Sequence, residues 1–593
     1  MRKALVFCLF FMAIPTIVPA QNQVLVKALR DELDRSMANL KLENVSSPYF
    51  MSYLVRDFSS LSIAATSGAL TANNESRSRT LRTDLRVGDY NLDNSNFTSL
   101  GSSMNPLGAF RPLPIDDDYE AIRRQLWLDT DRVYKQALET LAKKKAYLQN
   151  TVRTEVLPDY TREEKLSVSA PEPAFVSSRA KWASAIENIS KVFLKQEKIQ
   201  KSRVALDVRK ITAYYVNSEG TVGIEPSLTT RLTITASTQA GDGMPLRDFL
   251  VYTARHPDEL PAQDVIIRDT QKLIEGLVSL RAAPIAEEYS GPVLFTGEAA
   301  AELVVQALAP NLLARKLPLS DNPQAAAMMG RMENPYLSKL NAKVLANFVS
   351  VRAIPTTRSL AGRPLLGSYT IDEEGVRAQD VLLIEKGMLR NLLASRSPVK
   401  GFEKSNGHSR GGVVAPSVIK VESDKRLPMA ELKKMLIDKV KEEGLTYGYL
   451  VKSIIPASEA ADPDELDLRG LMMSQMQQNP SVVNLTKPAL ILKIFTDGRE
   501  EPVRGATFGS ISLNSLKELV ASSEDDFVYE FPTAAGGVAG ASSLMMLLMG
   551  SSGMPSIDYP ATVITPAFIM PGIDIKKPTG DYRKLPIVDY PGN

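Results

Sequence analysis

The sequence predicts an α+β fold with largely antiparallel sheets. Three observations support this class: an early helical stripe followed by strand-like alternation, long helical runs in the middle, and short strands separated by Gly and Pro turns from about Gly291 onward. We expect an N-terminal helix-on-antiparallel-sheet α+β domain, a helical middle segment within a helix/strand domain, and a β-rich C-terminal domain. Their predicted bounds, after a signal peptide at 1–20, are 21–115, 116–286 and 287–593.

The N-terminal prediction depends on a change of period. Val26, Leu29, Leu33, Met37 and Leu40 recur at helical spacing. Residues 49–65 are then rich in β-branched and aromatic types, a Ser-Gly turn follows at 67–68, and apolar residues alternate with charged ones over 81–87. This order predicts a helix packed on an antiparallel sheet.

Helices and strands both follow. An acidic run at 116–118 opens a helical segment through Lys145, because negative charge is favourable at a helix start. Further helices are predicted around 182–193 and over 261–280, strands over 204–216 and 228–237, and a late helix over 429–443.

The first twenty residues are typical of a secretion signal. Arg2 and Lys3 precede the apolar run 4–17, and Ala20 is the small residue that cleavage requires. Cys8 lies inside the apolar run, so we do not expect a lipoprotein. No later stretch reaches about 20 apolar residues, the length of a membrane span. We therefore expect an exported protein, periplasmic or extracellular, without a membrane span.

Charge and donor content exclude several functions. Without Arg2 and Lys3 the chain has 68 basic and 68 acidic residues, so it lacks the basic excess of a nucleic-acid-binding protein. Cys8 is the only cysteine, which excludes a disulfide framework in the mature chain. His256 and His408 are the only histidines and lie too far apart in sequence to form a local zinc-ligand pair. No Gly-x-Ser-x-Gly elbow supports a serine hydrolase.

A series of short motifs occurs in a specific order. Each is a turn-and-strand signature at residues 53–65, 214–220, 291–295, 298–300, 369–376, 381–389, 405–408 and 502–507. Together they resemble the TldD/PmbA family, often named modulators of DNA gyrase, over most of the mature chain. The missing metal ligands described next make the chain similar to the PmbA-like branch that lacks the metal site.

The resemblance implies a specific chemistry at one helix. Family members of the metal-binding branch are zinc peptidases with a His-Glu-x-x-x-His motif and a later cysteine ligand. In this sequence the two histidine positions are Gly297 and Glu302, the glutamate is Glu298, and no cysteine follows Cys8. We therefore expect no bound metal or other cofactor, with Glu298 as the remnant of the catalytic motif.

Glu298 and Glu302 allow two interpretations. They lie four residues apart, on one face of a helix, where two carboxylates could bind an oxygen-preferring cation. Alternatively, Glu298 is an acid in the first helical turn and Glu302 is a solvated neighbour.

The segment 406–412 also allows two interpretations. In relatives the equivalent turn lies near the peptide cleft, so the resemblance implies that Asn406, Gly407, His408 and Arg410 bind substrate. The alternative is an Asn-Gly hairpin turn with an exposed imidazole. We expect His256 to be structural and residues 372–374 to form a solvated acidic turn.

The resulting hypothesis is an exported, non-catalytic pairing subunit of a zinc-dependent peptidase complex. Its expected partners are a TldD-like metal-bearing subunit and an extended peptide. Two alternatives are a metallopeptidase with an atypical site at Glu298 and Glu302, and an envelope peptide-binding or assembly protein without a peptidase partner. Whether the chain is itself an enzyme stays open.

Overall fold

The computed structural model describes residues 20–41, 46–99, 110–151, 157–176, 178–331, 333–456, 459, 479–533, 559–578, 580 and 582. Apart from Ala20, the predicted signal peptide lies outside the described residues.

Seven α-helices occur in the described part of the chain. In order they are α1 (Ala20–Asn39), α2 (Tyr119–Gln149), α3 (Arg179–Ser190), α4 (Gln263–Leu280), α5 (Gly297–Leu303), α6 (Pro323–Arg331) and α7 (Met429–Glu442). None of these described helices is both long and apolar enough to cross a membrane.

The strands lie mainly in two large sheets. In chain order they are β1 (Pro48–Thr66), β2 (Ala69–Val87), β3 (Phe97–Thr98), β4 (Arg111–Pro112), β5 (Ser167–Ser169), β6 (Lys201–Asn217), β7 (Val222–Gln239), β8 (Pro245–Ala254), β9 (Tyr289–Phe295), β10 (Leu313–Ala314), β11 (Leu319–Ser320), β12 (Val349–Ala353), β13 (Ser359–Leu360), β14 (Arg363–Pro364), β15 (Val381–Glu385), β16 (Met388–Leu389), β17 (Leu393–Ala394), β18 (Ser409–Arg410), β19 (Val413–Val414), β20 (Val418–Ser423), β21 (Arg426–Leu427), β22 (Tyr447–Ile454), β23 (Val482–Val483), β24 (Pro488–Phe495), β25 (Glu500–Val503), β26 (Thr507–Phe508), β27 (Ile511–Ser512), β28 (Ser522–Thr533) and β29 (Tyr559–Lys576).

The first sheet has the strand order β4-β2-β1-β6-β7-β5, with β8 also paired to β7. Its pairings are antiparallel except that of the short β5. The β1–β2 hairpin turns at Ser67 and Gly68, both with positive φ, as the predicted turn requires.

The middle of the chain is not the helical segment that the sequence predicts. It contributes α2, α3 and α4, but its long strands β6, β7 and β8 continue the first sheet beside β1. The two segments therefore share one sheet. The physical reason is that β1 would otherwise present a long unpaired edge, which β6 covers over fourteen residue pairs.

The four helices α1–α4 cover one face of this sheet. Tyr53 and Val55 pack in the cluster formed with α1 and α2, and Ile63 packs in the cluster formed with α3 and α4. Because side chains alternate across a strand, Leu54 and Arg56 point to the opposite face. That face lies against the C-terminal part of the chain, where Arg56 contacts Glu373.

The second sheet is large and mixed. Its main order is β16-β15-β12-β20-β29-β9-β22-β24-β25, and β21, β26 and β28 join at its side. Parallel pairs occur between β20 and β29, β9 and β22, and β21 and β28. The largest apolar core lies on this sheet and includes the apolar residues of α5. The C-terminal part is thus β-rich, as predicted, and its sheet is mixed: eight of the pairings in its described strands are antiparallel and three are parallel.

Candidate functional site

The helix that carries the family remnant is short and follows directly from the second sheet. β9 ends at Phe295, and α5 begins at Gly297, whose φ of +51° lies in the left-handed region. One turn of π-helix, Val304–Leu308, continues α5. Glu298 lies in the first turn, as one of the two interpretations expects.

Glu302 is not a solvated neighbour, and that expectation is wrong. Its exposed fraction is 1%. The Tyr529 hydroxyl donates to Oε1 at 2.6 Å, and the Gln306 side-chain amide donates to Oε2 at 2.7 Å. The cause is tertiary: β28 places Tyr529 against this face of the helix, a contact that no local pattern around residue 302 signals.

Both carboxylates are shifted toward their neutral forms. Burial, with the charge of Glu302 and then of Asp248 adding to it, raises the pKa of Glu298 to about 8. Burial raises the pKa of Glu302 to about 7 against the opposing hydrogen bonds from Gln306 and Tyr529. Burial and the neighbouring acids therefore favour the neutral form of Glu298.

These residues do not fit the zinc that the family resemblance implies. Gly297 has no side chain, and Glu302 uses both oxygens in hydrogen bonds within the protein. Among the described residues there is no group of three or more His, Cys, Asp or Glu side chains placed to hold a metal ion. Neither nitrogen nor sulfur donors occupy the positions that a structural or catalytic zinc site would use.

The turn 406–410 is buried rather than exposed. Asn406 donates from its side chain to the Leu392 carbonyl at 2.8 Å, and its Oδ1 accepts from the Ala394 amide at 2.8 Å. His408 is 0% exposed; its Nδ1 lies 3.0 Å from the Asn406 carbonyl and its Nε2 lies 3.2 Å from the Ser417 hydroxyl. The alternative of an exposed imidazole is therefore wrong, and burial lowers the pKa of His408 to about 4.

Gly407 allows the backbone of this turn to lie close to the backbone at Arg377. Its φ is +74°, and a Cβ at this position would lie 2.3 Å from the Arg377 carbonyl oxygen. The Tyr369 hydroxyl donates to the Gly407 carbonyl at 2.7 Å. Asn406, Gly407 and His408 thus shape the loop that presents Arg410.

The predicted solvated turn 372–374 is instead a buried contact between the two sheets, so that expectation is wrong. Asp372, Glu373 and Glu374 are all buried. Arg56 donates through Nε to Oε1 of Glu373 at 2.8 Å, and the Tyr559 hydroxyl also donates to Glu373. Burial alone would raise the pKa of Glu373. The positive charge of Arg56 is the strongest opposing influence, and the pKa lies below its usual value.

A cavity of about 410 Å³ lies between the first sheet and the loops of the C-terminal part. One wall comes from β1, β6 and β7, including Leu54, and the other includes Tyr369, Arg410 and Tyr559. Of the four residues that the sequence predicts for substrate binding, Arg410 lines this cavity. Glu298 does not line it, so the structure does not bring the two predicted sites together there.

Sequence reasoning missed most of the cavity. Arg255 and Arg358 line it together with Glu225, but they come from a loop after β8, a loop after β12 and strand β7. Their separation in sequence gives no local motif. The alternation of side chains along β6 and β7 was the available signal for the cavity. It places every second side chain on the face of the sheet that the helices do not cover. His256, by contrast, accepts a hydrogen bond from the Asp258 amide at the start of a short 3₁₀ helix, a structural position as expected.

Comparisons with known proteins agree with this architecture. Residues 288–559 match the family model described as PmbA/TldA metallopeptidase C-terminal domain. No curated protein matches the chain.

Three solved structures share the fold. A proposed modulator of a DNA gyrase from Thermotoga maritima is 14% identical, covering 92% of this chain and 99% of that one, with a TM-score of 0.56. TldE from Thermococcus kodakarensis is 14% identical, with coverages of 94% and 100% and a TM-score of 0.53. A proposed modulator of DNA gyrase from Bacteroides thetaiotaomicron is 13% identical, with coverages of 95% and 100% and a TM-score of 0.54.

Proposed function

We propose that this chain is the non-catalytic subunit of a zinc-dependent peptidase pair, because residues 288–559 match the family model described as PmbA/TldA metallopeptidase C-terminal domain. In this role it pairs with a metal-bearing relative and forms part of the wall that holds an extended peptide. The pair acts outside the cytoplasm, as the signal-like residues 1–20 suggest.

The observation that carries the proposal is the state of α5. The position of one family histidine is Gly297, and the position of the other is Glu302, whose oxygens are hydrogen-bonded to Tyr529 and Gln306. The remaining motif glutamate, Glu298, has a pKa raised to about 8 by burial and neighbouring acids. Without metal ligands at positions 297 and 302, Glu298 has no metal-bound water to activate.

A direct test measures metal and activity on the purified mature chain, alone and mixed with a metal-bearing family member from the same organism. We expect no stoichiometric zinc and no chelator-sensitive cleavage by the chain alone, a stable complex with the relative, and peptide cleavage by the mixture. Zinc-dependent cleavage by the isolated chain would contradict the proposal. Peptide binding without any complex would instead favour the envelope-binding alternative.

Substitution of Glu298 separates the pairing role from an atypical metallopeptidase. Glu298→Gln removes the ionisable group but preserves size, so the activity of the mixture should stay within about twofold. Glu385→Gln, at a half-exposed side chain on β15, is the matched control. Loss of activity in the first variant alone would identify Glu298 as a catalytic group.

Export is tested independently. The full reading frame is expressed with a C-terminal tag, and the cell fractions and the N-terminal sequence of the product are determined. We expect a product that begins at Gln21 in the extracytoplasmic fraction. An intact N-terminus in the cytoplasm would refute the location without affecting the pairing proposal.

A further inference from the structure

We propose that the cavity between the two sheets binds the C-terminal carboxylate of a short peptide, with Arg410 as its anchor. This inference deepens the proposed function and rests on it, because it names the part of the peptide that this chain recognises. It depends on four features: the setting of Arg410, the distribution of charge, the partners of the acidic groups, and the size of the cavity.

Arg410 is held in a fixed orientation. The residue is 6% exposed, and its Nη1 donates to the Pro560 carbonyl at 2.9 Å. Its guanidinium lies 4.7 Å from the ring centre of Tyr369 and 4.5 Å from that of Tyr559. A planar group held between two rings loses little freedom when it binds, and its paired N–H groups match a carboxylate.

Among the described residues, no carboxylate forms an ion pair with Arg410. Two of the acids on the cavity wall, Glu373 and Asp372, are engaged by other groups. Glu373 accepts from Arg56 and from the Gly411 amide at 2.7 Å. The charge of Arg410 therefore remains available to a ligand.

Asp372 is similarly engaged by the backbone. Its two carboxylate oxygens accept amide hydrogen bonds from Glu374 at 3.0 Å, Val376 at 2.9 Å and Ser409 at 2.9 Å. These bonds fix the loop and use three of the roughly four acceptor positions of the carboxylate.

Two further cations reinforce the positive character of the cavity. Arg255 and Arg358 both line it. The third acid, Glu225, lies 3.8 Å from Arg358, and burial raises its pKa.

The lining thus contains three arginines and three acids, but Glu373 is paired with Arg56 from outside the lining and Asp372 is hydrogen-bonded to backbone amides. Arg410 and Arg255 have no ion-pair partner among the described residues, which favours a negatively charged ligand over a cationic one.

The rest of the lining favours a peptide over a small inorganic anion. Leu54, Ile211, Leu366 and Ile371 supply apolar surface, and the volume of about 410 Å³ lies in the range of small-ligand sites. Such a cavity accommodates the apolar end of a short peptide with its carboxylate against the arginines. A folded domain would not fit.

The test measures binding by calorimetry to the isolated full-length mature chain, without zinc or partner. The probes are the tripeptide Ala-Leu-Leu as a free acid, the same peptide as a C-terminal amide, its N-acetylated acid, and sodium acetate. We expect the two acids to bind alike and the amide to bind at least tenfold more weakly, because the amide cannot form the charge-assisted contacts. Equal binding of acid and amide, or binding of acetate as tight as that of the peptide acid, would overturn the proposal.

Two arginines provide a matched pair of variants. The Arg358 side chain at the cavity is 47% exposed, and the Arg352 side chain on β12, which does not line the cavity, is 48% exposed. Arg358→Gln should weaken binding of the free acid about threefold to tenfold, whereas Arg352→Gln should leave it unchanged. Equal effects of the two variants would reject the site.

Arg410→Lys keeps the charge but removes the planar pair of donors, and it should weaken the acid at least tenfold without affecting the amide. Thermal unfolding shows whether this variant is folded, and the Arg358 pair decides the question if it is not. Because these measurements need neither catalysis nor pairing, a failure here leaves the pairing proposal standing, and a failure of pairing leaves this binding result intact.

Discussion

Replacement of the buried Glu302 by Gln should stabilise the protein at alkaline pH. In the folded protein the pKa of Glu302 is about 7, against an ordinary value of 4.5. The folded state therefore holds this proton more tightly than the unfolded state. The contribution of Glu302 to stability is complete below pH 4.5 and is lost as the pH rises through 7, a loss of about 3 kcal/mol, since each unit of pKa difference corresponds to about 1.4 kcal/mol.

Glu302→Gln removes this dependence while it preserves the shape and a hydrogen bond with Tyr529 or Gln306. Urea unfolding at pH 5 and pH 9 measures the difference in unfolding free energy between variant and wild type. We expect that difference to shift in favour of the variant by about 2 to 3 kcal/mol between the two pH values. Comparison with the wild type at each pH cancels the effects of all other groups.

Glu385→Gln, on the exposed surface, is the control and should show a much smaller shift. A difference between Glu302→Gln and wild type that does not change with pH would refute the assignment of Glu302 as a buried, neutral acid. Ionised Glu302 held by a bound cation would give the opposite sign, with the variant less stable at pH 9.

Three further predictions concern two buried polar side chains and one glycine with a positive φ. Burial lowers the pKa of His408 to about 4, so its contribution to the free energy of unfolding is complete above pH 6.5 and is lost as the pH falls through 4. In urea unfolding, His408→Gln should remove about 3 kcal/mol of this loss at acid pH. Gly407→Ala should destabilise the protein by more than about 2 kcal/mol, because its Cβ meets the Arg377 carbonyl and its φ is positive; thermal unfolding measures the loss. Arg56→Met should cost about 3 to 5 kcal/mol by leaving the Glu373 charge buried without its cationic partner, and the double variant with Glu373→Gln should recover part of it. A double variant no more stable than Arg56→Met would contradict that account.

Periodicity in the sequence is sufficient to locate most elements but not their assembly. The helical stripe from Val26 corresponds to α1, and the alternation around Leu85 corresponds to β2. Nothing local, however, shows that β6 pairs with β1, because pairing partners are selected by matching faces and edges over a long sequence separation. The sequence therefore predicts strands over 204–216 and 228–237, where β6 and β7 lie, but not that they complete the first sheet beside β1.

The same limit applies to the candidate site. The residues at 372–374 look like a solvated charge run, since consecutive acids are usually exposed, but Arg56 on a distant strand compensates Glu373. Glu302 is enclosed by Tyr529, which is more than two hundred residues away. Conversely, the position of Glu298 in the first turn of a helix can be predicted from the sequence, because a helix start is defined by local residues.

The position of β29 has a consequence for biosynthesis. The first half of this strand lies between β20 and β28, and its second half pairs with β9 and β26. The last strand in the described chain is therefore central to the second sheet. The second sheet cannot be completed until synthesis has passed residue 576. A polypeptide truncated ahead of Tyr559 therefore leaves the ribosome without β29, the strand that pairs with β9, β20, β26 and β28.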